Sequence, residues 1–390
     1  MSRWRLIEDD GAGAAAGLAT DEALMLEHGR GAQPSCEATL RLYTYRPHCA
    51  LVGRFQSLED EVDLDAAREL GIAVGRRPTG GGAIIMGDGQ LGVAVMTRAP
   101  TTTAPRELLE RYAGGVVAGL ARLGIDARFR GKNDLEVDGR KVAGLGLYVD
   151  ERGALLFHAS VLVDLDVALM LRVLKIPGAK LSDKGIARVE ERVTTVRREA
   201  GAALTTGAVR DAVAAGFVEA LGIDPHVSGL DAAEEARRDE LIAERYGSDD
   251  WIGQHTRLRD ERGTAVLKTP EGFVRIYVAT HGATIKSTLI AGDFNAIPPR
   301  LAHLEAALRW CPATRERIGE LTEATLRADD LGVPPVAVAE KIWEATARAI
   351  ERAGGAHPAR PEGSCYFPET LGASAQEPPV LAVETPEAVL

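Results

Sequence analysis

The stretches that decide the fold of this sequence are Arg76-Arg77-Pro78-Thr79-Gly80-Gly81-Gly82-Ala83-Ile84-Ile85 and Lys132-Asn133-Asp134-Leu135-Glu136-Val137-Asp138-Gly139-Arg140-Lys141-Val142-Ala143-Gly144. Each joins fixed positive charge to backbone that carries no side chain. This combination suits an anionic ligand held against main-chain N–H groups, because glycine allows close approach and the cation complements the charge. The two segments therefore predict a ligand site.

The glycine run Gly80–Gly82 has two explanations that the residues leave open. Three consecutive glycines cost conformational entropy, so the backbone must need them, either for a tight turn or for contact with a ligand. The preceding Arg76 and Arg77 favour a ligand. The run is not a dinucleotide-binding fingerprint, because no Gly-x-Gly-x-x-Gly opens a helix, and it is not a P-loop, because no Gly-Lys-Ser/Thr follows.

Lys141 follows a hairpin turn and begins an apolar strand. It is either a solvated turn lysine or a fixed cation on a phosphate or carbonyl oxygen. Its neighbour Arg140 points to the opposite face of the strand, so the two side chains have different tasks. Asp134 and Asp138 could each hold Mg²⁺ through oxygen ligands, or serve as turn and capping residues.

His158, in an apolar stretch, is a further candidate ligand contact, although a single histidine there is more often a core residue. No carboxylate pair, cluster of metal ligands or Ser-His-Asp order stands out in the sequence. The chemistry indicated is therefore positioning and charge stabilisation without a nucleophilic side chain.

The order of predicted elements indicates an α+β fold, because strand–turn–strand pairs and helices occur without regular βαβ alternation. Thr20 is predicted to cap a helix that ends near Arg30. Further strands are predicted over 38–55 as a pair around Pro47, and over 72–77, 91–97, 126–130, 141–149 and 153–163, with helices over 58–70, 105–123, 165–174 and 208–221.

A second, smaller α+β unit is predicted after a charged helical stretch at 231–245. Its predicted strands cover 255–260, 264–269, 273–279 and 284–291, and its helices cover 298–309, 314–327 and 335–353. We therefore expect a first domain over 1–225, a C-terminal domain over 226–355 and an irregular tail over 356–390.

The composition and charge of the sequence limit the kinds of partner that the protein can bind. The net charge of −11 argues against a nucleic-acid partner, which needs a basic face, but leaves a small anionic ligand open. No run approaches the roughly 18–20 apolar residues of a membrane span. The N-terminus lacks the apolar core of a signal peptide, so we expect a cytoplasmic location without membrane association. The scattered cysteines indicate neither a zinc site nor a disulfide framework.

Seven motifs occur in order along the chain: Asp21-Glu22-Ala23-Leu24, Val52-Gly53-Arg54-Phe55-Gln56, Arg77-Pro78-Thr79-Gly80-Gly81-Gly82-Ala83, Asn133-Asp134-Leu135, Gly139-Arg140-Lys141-Val142-Ala143-Gly144, Lys184-Gly185-Ile186 with Arg192-Val193-Thr194, and Gly292-Asp293-Phe294. Together they resemble the lipoate–protein ligase family of the biotin/lipoate protein ligase superfamily. The last motif looks like part of the small C-terminal accessory domain of bacterial ligases. The resemblance implies mixed and antiparallel sheets with flanking helices in the catalytic domain, and a smaller α+β accessory domain.

The resemblance also implies a two-step reaction. Lipoate and ATP with Mg²⁺ would give lipoyl-AMP, which a lysine of an H protein or of a 2-oxoacid dehydrogenase lipoyl domain would then attack. Lys141 matches the lysine that bridges the lipoate carboxylate and the α-phosphate, and Asp134 matches a position near phosphate and metal. The other implied lipoate- or adenylate-binding residues are Arg77, Thr79, Gly80, Gly81, Gly82, Ala83, Ile84, Ile85, Asn133, Gly144 and His158.

One departure from the family pattern concerns the residues after the glycine run. The family has x-x-His-Asp-x-Gly-Asn there, whereas this chain has Met86 in place of the histidine and Gly87 in place of the aspartate. The change bears on the acyl substrate, lipoate or octanoate, or on the carrier protein served.

Two alternatives stand beside the ATP-dependent ligase. An octanoyl- or lipoyl-transferase of the same superfamily would work without ATP through a cysteine thioester. No cysteine lies between Cys49 and Cys311, and Cys49 falls in an apolar strand, which counts against this alternative. A non-catalytic binder of lipoyl domains is favoured by Met86 and opposed by Lys141 and the glycine run.

Overall fold

The computed structural model describes residues 2–353, apart from 30–31, 33–34, 101–102, 131–132, 177–181, 255–261, 271 and 295–297. The predicted tail over 356–390, the predicted strand at 255–260 and Lys132 lie outside the described residues.

The strands are β1 Ser2–Ala12, β2 Ala38–Tyr45, β3 Cys49–Val52, β4 Ala73–Arg76, β5 Ile84–Met86, β6 Gln90–Arg98, β7 Arg128–Arg130, β8 Asp134–Val137, β9 Arg140–Val149, β10 Ala154–Leu162, β11 Ile223–Val227, β12 Arg262–Thr269, β13 Gly272–His281 and β14 Thr284–Gly292. The α-helices are α1 Ala14–Leu26, α2 Leu58–Glu61, α3 Leu64–Glu69, α4 Pro105–Ala121, α5 Val167–Val173, α6 Asp183–Glu190, α7 Val196–Ala200, α8 Thr206–Leu221, α9 Ala232–Leu241, α10 Asp249–Ile252, α11 Pro299–Leu308, α12 Arg315–Thr325, α13 Ala328–Leu331 and α14 Pro335–Ala353. A π-helical turn, Ile242–Tyr246, follows α9.

The larger unit is built on an eight-stranded sheet with the order β11-β1-β2-β6-β10-β9-β8-β7. The β1 strand pairs in parallel with β2 and β11, whereas the other neighbours in the sheet are antiparallel. Helices α4 and α8 cover one face, where Leu108, Val116, Val213 and Phe217 join the main apolar core. The mixed sheet with flanking helices confirms the predicted α+β class.

Two helix predictions need correction. The α1 helix begins at Ala14, after Gly13, and Thr20 lies inside it with its hydroxyl donating to the carbonyl of Ala16. Alanines at 14–16 are strong helix formers, so the helix starts before the capping residue that was predicted. The predicted helix at 58–70 is two helices, because the Asp63 side chain accepts from the Ala66 N–H and starts α3.

The C-terminal sheet, β12-β13-β14, is covered by helices, and apolar residues of the sheet and the helices form a separate core that includes Ile276, Ile290, Leu304 and Ile342. The preceding segment at 232–252 packs elsewhere, because Leu241 and Trp251 belong to the core around α1. The domain division at 225 stays a prediction. Within the described residues, no helix combines the length and apolar character that a membrane crossing requires.

Candidate functional site

A small sheet of three strands, β4-β3-β5, positions the glycine run. The β4 strand ends at Arg76, and β5 begins at Ile84, so the run is the connection between two strands that both pair with β3. The adjacent arginines therefore lie where a buried sheet ends and the loop begins.

Arg76 is a structural cation. Its fully buried guanidinium donates to backbone carbonyls of the loops at 53–56 and 251–254, including those of Gly53 and Trp251 at 2.9 and 3.0 Å. Burial lowers its pKa to about 10, which leaves it charged at neutral pH. Its positive charge thus holds loops together and is not presented to a ligand.

The buried side chain of Arg77 stabilises the glycine run through hydrogen bonds. Its guanidinium donates to the carbonyls of Leu51 at 2.7 Å, Gly80 at 3.2 Å and Gly82 at 2.8 Å. The side chain is only 6% exposed, and burial lowers its pKa to about 10. The Arg77 Nε lacks a hydrogen-bond partner among the described residues.

The glycine run has a conformational reason at one position and space for a Cβ at another. Gly81 has φ +90°, which favours glycine, and its N–H donates to the carbonyl of Phe294 at 2.9 Å. A Cβ on Gly82 would meet nothing closer than the Asp293 carboxylate, at 3.7 Å. Thr79 is buried, and its hydroxyl has no partner among the described residues.

Lys141 is held from three sides. Its side-chain Nζ forms an ion pair with Asp134 at 2.8 Å, and both side chains are about one-third exposed. Its N–H donates to the carbonyl of Arg192, and its carbonyl accepts from the N–H of Thr194. Arg140 instead pairs with Glu199, so the neighbouring cations do have different partners. Lys141 is thereby a fixed cation that solvent and a ligand can still reach.

A cavity of about 770 Å³, here called the outer cavity, lies against Lys141. Its polar side includes Asp134, Glu136 and Arg192. Its other residues include Ala83, Ile84, Ile85, Gly144, Ser160, Leu162, Leu165, Met170 and Ile176. A cation beside apolar walls suits a ligand with a polar head and an apolar chain.

A second, smaller space of about 30 Å³, here called the inner chamber, shares lining residues with the outer cavity. Ile84 and Ser160 line both spaces. The inner chamber also brings together Arg77, Met86 and His158. The structure thus divides the predicted contacts, with Lys141 at the outer cavity and Arg77 and His158 at the inner chamber.

Glycines on β9 keep room for functional side chains above the sheet. The register pairs Gly144 with Ser160 and Gly146 with His158. A Cβ on Gly144 would lie 3.0 Å from the Lys141 Nζ, and one on Gly146 would lie 2.2 Å from the His158 Nε2. Both side chains therefore lie over glycine.

Asn133 and Asp134 have local partners. The Asn133 carbonyl accepts from the Leu145 N–H at 2.8 Å, which joins the start of the hairpin to β9. Among the described residues, no three His, Cys, Asp or Glu side chains are arranged to hold a metal ion. A Mg²⁺ ion at Asp134 stays a prediction.

Sequence reasoning missed several residues of this site. Ser160 lies two residues from His158 on the same face of β10, so strand alternation alone could have found it. Asp21 and Tyr43 also line the inner chamber, and Asp293 approaches the glycine run from the C-terminal unit. Asp21 and Asp293 lie in motifs that the sequence shows, but neither was assigned to the site, because the contacts join distant parts of the chain.

The described cysteines lie away from both spaces or are unsuited to attack. Cys49 is fully buried in β3, and burial raises the pKa of its thiol far above the usual range. Cys36 and Cys311 are also buried, and none of the three lines either space. A cysteine nucleophile is thus absent from this site among the described residues.

Comparison with known proteins identifies the family. The model of the "Lipoyl protein ligase A/B catalytic domain" matches residues 14–218. This chain belongs to that family. The predicted membership in the lipoate–protein ligase family and its superfamily is confirmed.

Individual relatives and solved structures show the extent of the likeness. The octanoyltransferase LipM of Symbiobacterium thermophilum is 34% identical over 64% of this chain and 98% of its own length. The bipartite lipoate protein ligase of Thermoplasma acidophilum is 31% identical, with a TM-score of 0.59 over 65% of this chain and 97% of that one. P. falciparum LipL1 shares the fold, at 16% identity and a TM-score of 0.62 over 83% of this chain and 95% of that one.

The expectation of an ATP-dependent lipoate ligase was wrong. Besides the Symbiobacterium protein, relatives such as that of Kyrpidia tusciae, at 33% identity over 98% of its length, carry the name octanoyltransferase LipM. These relatives favour the alternative of an acyltransferase in the same superfamily.

Proposed function

We propose that this chain transfers an octanoyl- or lipoyl-type acyl group to a lysine of a lipoyl-carrier protein, such as a lipoyl domain or an H protein. The observation that carries the proposal is the fixed cation Lys141 beside an outer cavity with apolar walls. The names of the octanoyltransferase relatives support it.

The Lys141 ammonium is the group that activates the acyl carbonyl. Its N–H groups donate to the carbonyl oxygen, and this interaction strengthens as negative charge develops during attack. Asp134 keeps the ammonium in place. The apolar residues Leu162, Leu165 and Met170 receive the acyl chain, whose burial is favourable.

The acyl group arrives already activated, as a thioester, as transfer without ATP requires, and it passes directly to the acceptor because no cysteine among the described residues lines the site. The neutral amine of the acceptor lysine attacks the thioester carbonyl carbon, and a C–N bond forms. The C–S bond then breaks, and the donor thiol leaves with the proton that the amine has lost. The step needs neither ATP nor a covalent acyl-enzyme.

Mass spectrometry of a lipoyl domain tests the proposal. The full-length protein, a lipoyl domain and an octanoyl or lipoyl thioester are incubated without ATP, and we expect the domain to gain one acyl group. Lys141→Ala should lower the rate about 10²–10³-fold, the usual loss for a donor to a developing oxyanion. Lys141→Arg should lower the rate of acyl transfer as well, because the planar guanidinium group of arginine does not replace a compact ammonium group. Lys268→Ala, at an exposed position in β12, is the matched control and should retain full activity.

Two outcomes would overturn this function. Acylation that occurs only with free octanoate or lipoate, ATP and Mg²⁺ would contradict transfer from a thioester. A lipoyl domain that binds but is never acylated under any of these conditions would identify a non-catalytic binder.

A further inference from the structure

The loop at 53–56 lies between the glycine run and the C-terminal unit. Its first residue packs directly on the glycine run, since a Cβ on Gly53 would lie only 2.0 Å from the Gly81 carbonyl oxygen. On the other side of the loop, the Phe55 carbonyl accepts from the Gly292 N–H at 3.0 Å. A shift of this loop would therefore displace the backbone of the glycine run.

Gln56 joins this loop to the C-terminal unit through its side-chain amide. The Oε1 atom accepts from the Gly53 N–H at 2.8 Å, and the Nε2 atom donates to the Asp293 Oδ1 at 2.8 Å. The chemistry of the partners fixes this orientation, because an N–H needs an acceptor and a carboxylate needs a donor. Gln56 is 1% exposed, so both hydrogen bonds form away from water.

Asp293 is in turn held by the C-terminal sheet. Its Oδ2 accepts from the Phe273 N–H at 2.9 Å, and its own N–H donates to the Phe273 carbonyl at 3.0 Å. The two carboxylate oxygens therefore have different partners, one on β13 and one in the loop at 53–56. Hydrogen bonds to an ionised acceptor are stronger than neutral ones, so the carboxylate is a firm connection between the two units.

The glycine run leads directly into one wall of the outer cavity. Ala83, Ile84 and Ile85 follow the run in sequence, and all three line that cavity. Lys141 is instead held by backbone hydrogen bonds to the segment at 192–194. A shift of the glycine run should therefore move the wall that contacts the acyl chain and leave the cation in place.

We propose that Asp293 is a positioning residue for the acyl site. Through Gln56 it fixes the loop at 53–56 against the glycine run, and it thereby keeps the wall of the outer cavity in place for the acyl donor. The C-terminal unit thus takes part in donor binding, although Asp293 is not among the residues that line the outer cavity. The inference rests on the proposed function, because it takes the acyl chain to lie against this wall.

Variants that exchange the amide and the carboxylate test the connection. Each single variant places like groups opposite each other, two donors in Asp293→Asn and two acceptors in Gln56→Glu. The double variant restores a donor opposite an acceptor at the same net charge. Its amide at position 293 donates to its carboxylate at position 56, and an oxygen remains for each of the two backbone N–H groups.

Acyl transfer from a thioester to a lipoyl domain, catalysed by the full-length protein, measures the consequence. We expect KM for the thioester to rise about ten-fold in each single variant while kcat stays within about two-fold, because the wall binds the acyl chain equally before and during attack. The double variant should return KM to within about two-fold of the wild-type value, since the two positions are coupled.

Glu305→Gln is the matched control. Glu305 is also a half-buried carboxylate of the C-terminal unit, it accepts from the Ile290 N–H at 2.7 Å, and burial raises the pKa of both its carboxyl and that of Asp293. Its contact with β14 does not involve the loop at 53–56. A loss of stability alone would therefore appear in both variants, whereas the higher KM should appear only in Asp293→Asn.

Hydrogen exchange gives a readout that needs no turnover. Peptides that cover residues 77–85 should exchange faster in both single variants than in the wild type, in Glu305→Gln or in the double variant. Faster exchange in a protein that transfers no acyl group would contradict the proposed reaction and leave the positioning role standing.

Three results would overturn the inference: unchanged exchange over 77–85 in folded Asp293→Asn, an unchanged KM in a protein that does transfer the acyl group, or a double variant that is no better than the single ones. If Asp293→Asn does not fold, the comparison of Gln56→Glu with the double variant decides the matter.

Discussion

Glycines at this site serve at least two distinct physical purposes. Gly81 provides a backbone conformation that other residues adopt only with strain, since its φ is +90°. Gly144 and Gly146 instead provide space, because a Cβ there would meet Lys141 and His158. Substitution at Gly81 would strain the backbone, whereas substitution at Gly144 would change the position of the Lys141 ammonium group.

Gly144→Ala should displace the Lys141 side chain while the fold remains intact. The new Cβ would lie 3.0 Å from Nζ, and the flexible end of the lysine can move away. We expect kcat/KM for acyl transfer to fall about 10²-fold, a typical effect of a misplaced catalytic group. The free energy of unfolding should change little.

Gly114→Ala is the control for this prediction. It lies in α4, where a Cβ meets nothing within 4 Å, and should leave activity unchanged while stabilising the helix by up to about 1 kcal/mol. Normal turnover by Gly144→Ala would show that acyl transfer does not depend on the position of the Lys141 ammonium group.

Met86→His tests the departure from the family pattern. Met86 is buried in the inner chamber, and its sulfur accepts from Ser160. A histidine would introduce hydrogen-bonding capacity there, so the ratio of kcat/KM for two acyl groups should shift by roughly 10–200-fold. Ile85→Val, at the outer cavity, should leave the ratio nearly unchanged. An unaltered ratio in Met86→His would mean that Met86 only fills space.

Two elements shape the face of the large sheet that carries the proposed site. The β9 strand, with Lys141 near its start, is joined to the segment at 192–194 by paired backbone hydrogen bonds. The α1 helix covers the same side of the sheet as the inner chamber, which Leu18 and Asp21 line. The position of α1 therefore affects the shape of the inner chamber.

His28, just after α1, should make stability depend on pH. It is 2% exposed, and burial, with the charges of Arg98 and Arg5, lowers its pKa to about 4. The unfolded chain, with a pKa near 6.5, binds the proton first as pH falls, so this group destabilises the fold progressively from about pH 6.5 to 4. Between pH 7 and 5 the expected loss from this group is about 2 kcal/mol.

Denaturant unfolding at a series of pH values measures how the free energy of unfolding changes with pH. His28→Asn should show a smaller loss than the wild type over the same interval, whereas His303→Asn, at an exposed position, should match the wild type. Parallel curves for wild type and His28→Asn would contradict the prediction.

At the scale of the whole molecule, the C-terminal unit contacts the glycine run directly. Phe294 accepts from the Gly81 N–H, and the Asp293 carboxylate accepts from the Gln56 side chain at 2.8 Å. Arg275, on β13, forms an ion pair with Glu61 of α2. Because the segment at 232–252 packs with the α1 core, we propose that the boundary between the units lies near residue 255, outside the described residues.

Arg275→Ala should weaken the junction between the two units. Arg275 and Glu61 are 12% and 8% exposed, and burial raises the pKa of Glu61 despite its partner. Removing one partner of a buried pair leaves the other uncompensated, so we expect a loss of about 3 kcal/mol in the free energy of unfolding.

Arg315→Ala provides a comparison at the surface. Arg315 pairs with Glu340, but the side chains are 60% and 46% exposed, so its removal should cost less than about 1 kcal/mol. Denaturant unfolding of both variants is the measurement. Equal losses would show that the contact between the units contributes nothing beyond a surface ion pair.

The sequence by itself determined the α+β class, the strand pair around Pro47, the hairpin before Lys141 and the family, because alternation, turn residues and short motifs are local. Tertiary structure decided that the Arg76 side chain joins loops inside the protein, that Arg77 and His158 line the same small space and that Asp293 approaches the glycine run. These contacts join residues up to 237 positions apart, as between Gln56 and Asp293, so no local pattern records them.

The motifs left the reaction undetermined for a chemical reason. A lysine ammonium can stabilise negative charge on a carbonyl oxygen whether the acyl group is joined to phosphate or to sulfur, so Lys141 and the glycine run are compatible with both donors. The sequence did not show what surrounds this cation. The tertiary structure shows a cavity with apolar walls at Lys141 and a smaller space that shares Ile84 and Ser160 with it, because the walls come from strands and helices that are distant in sequence.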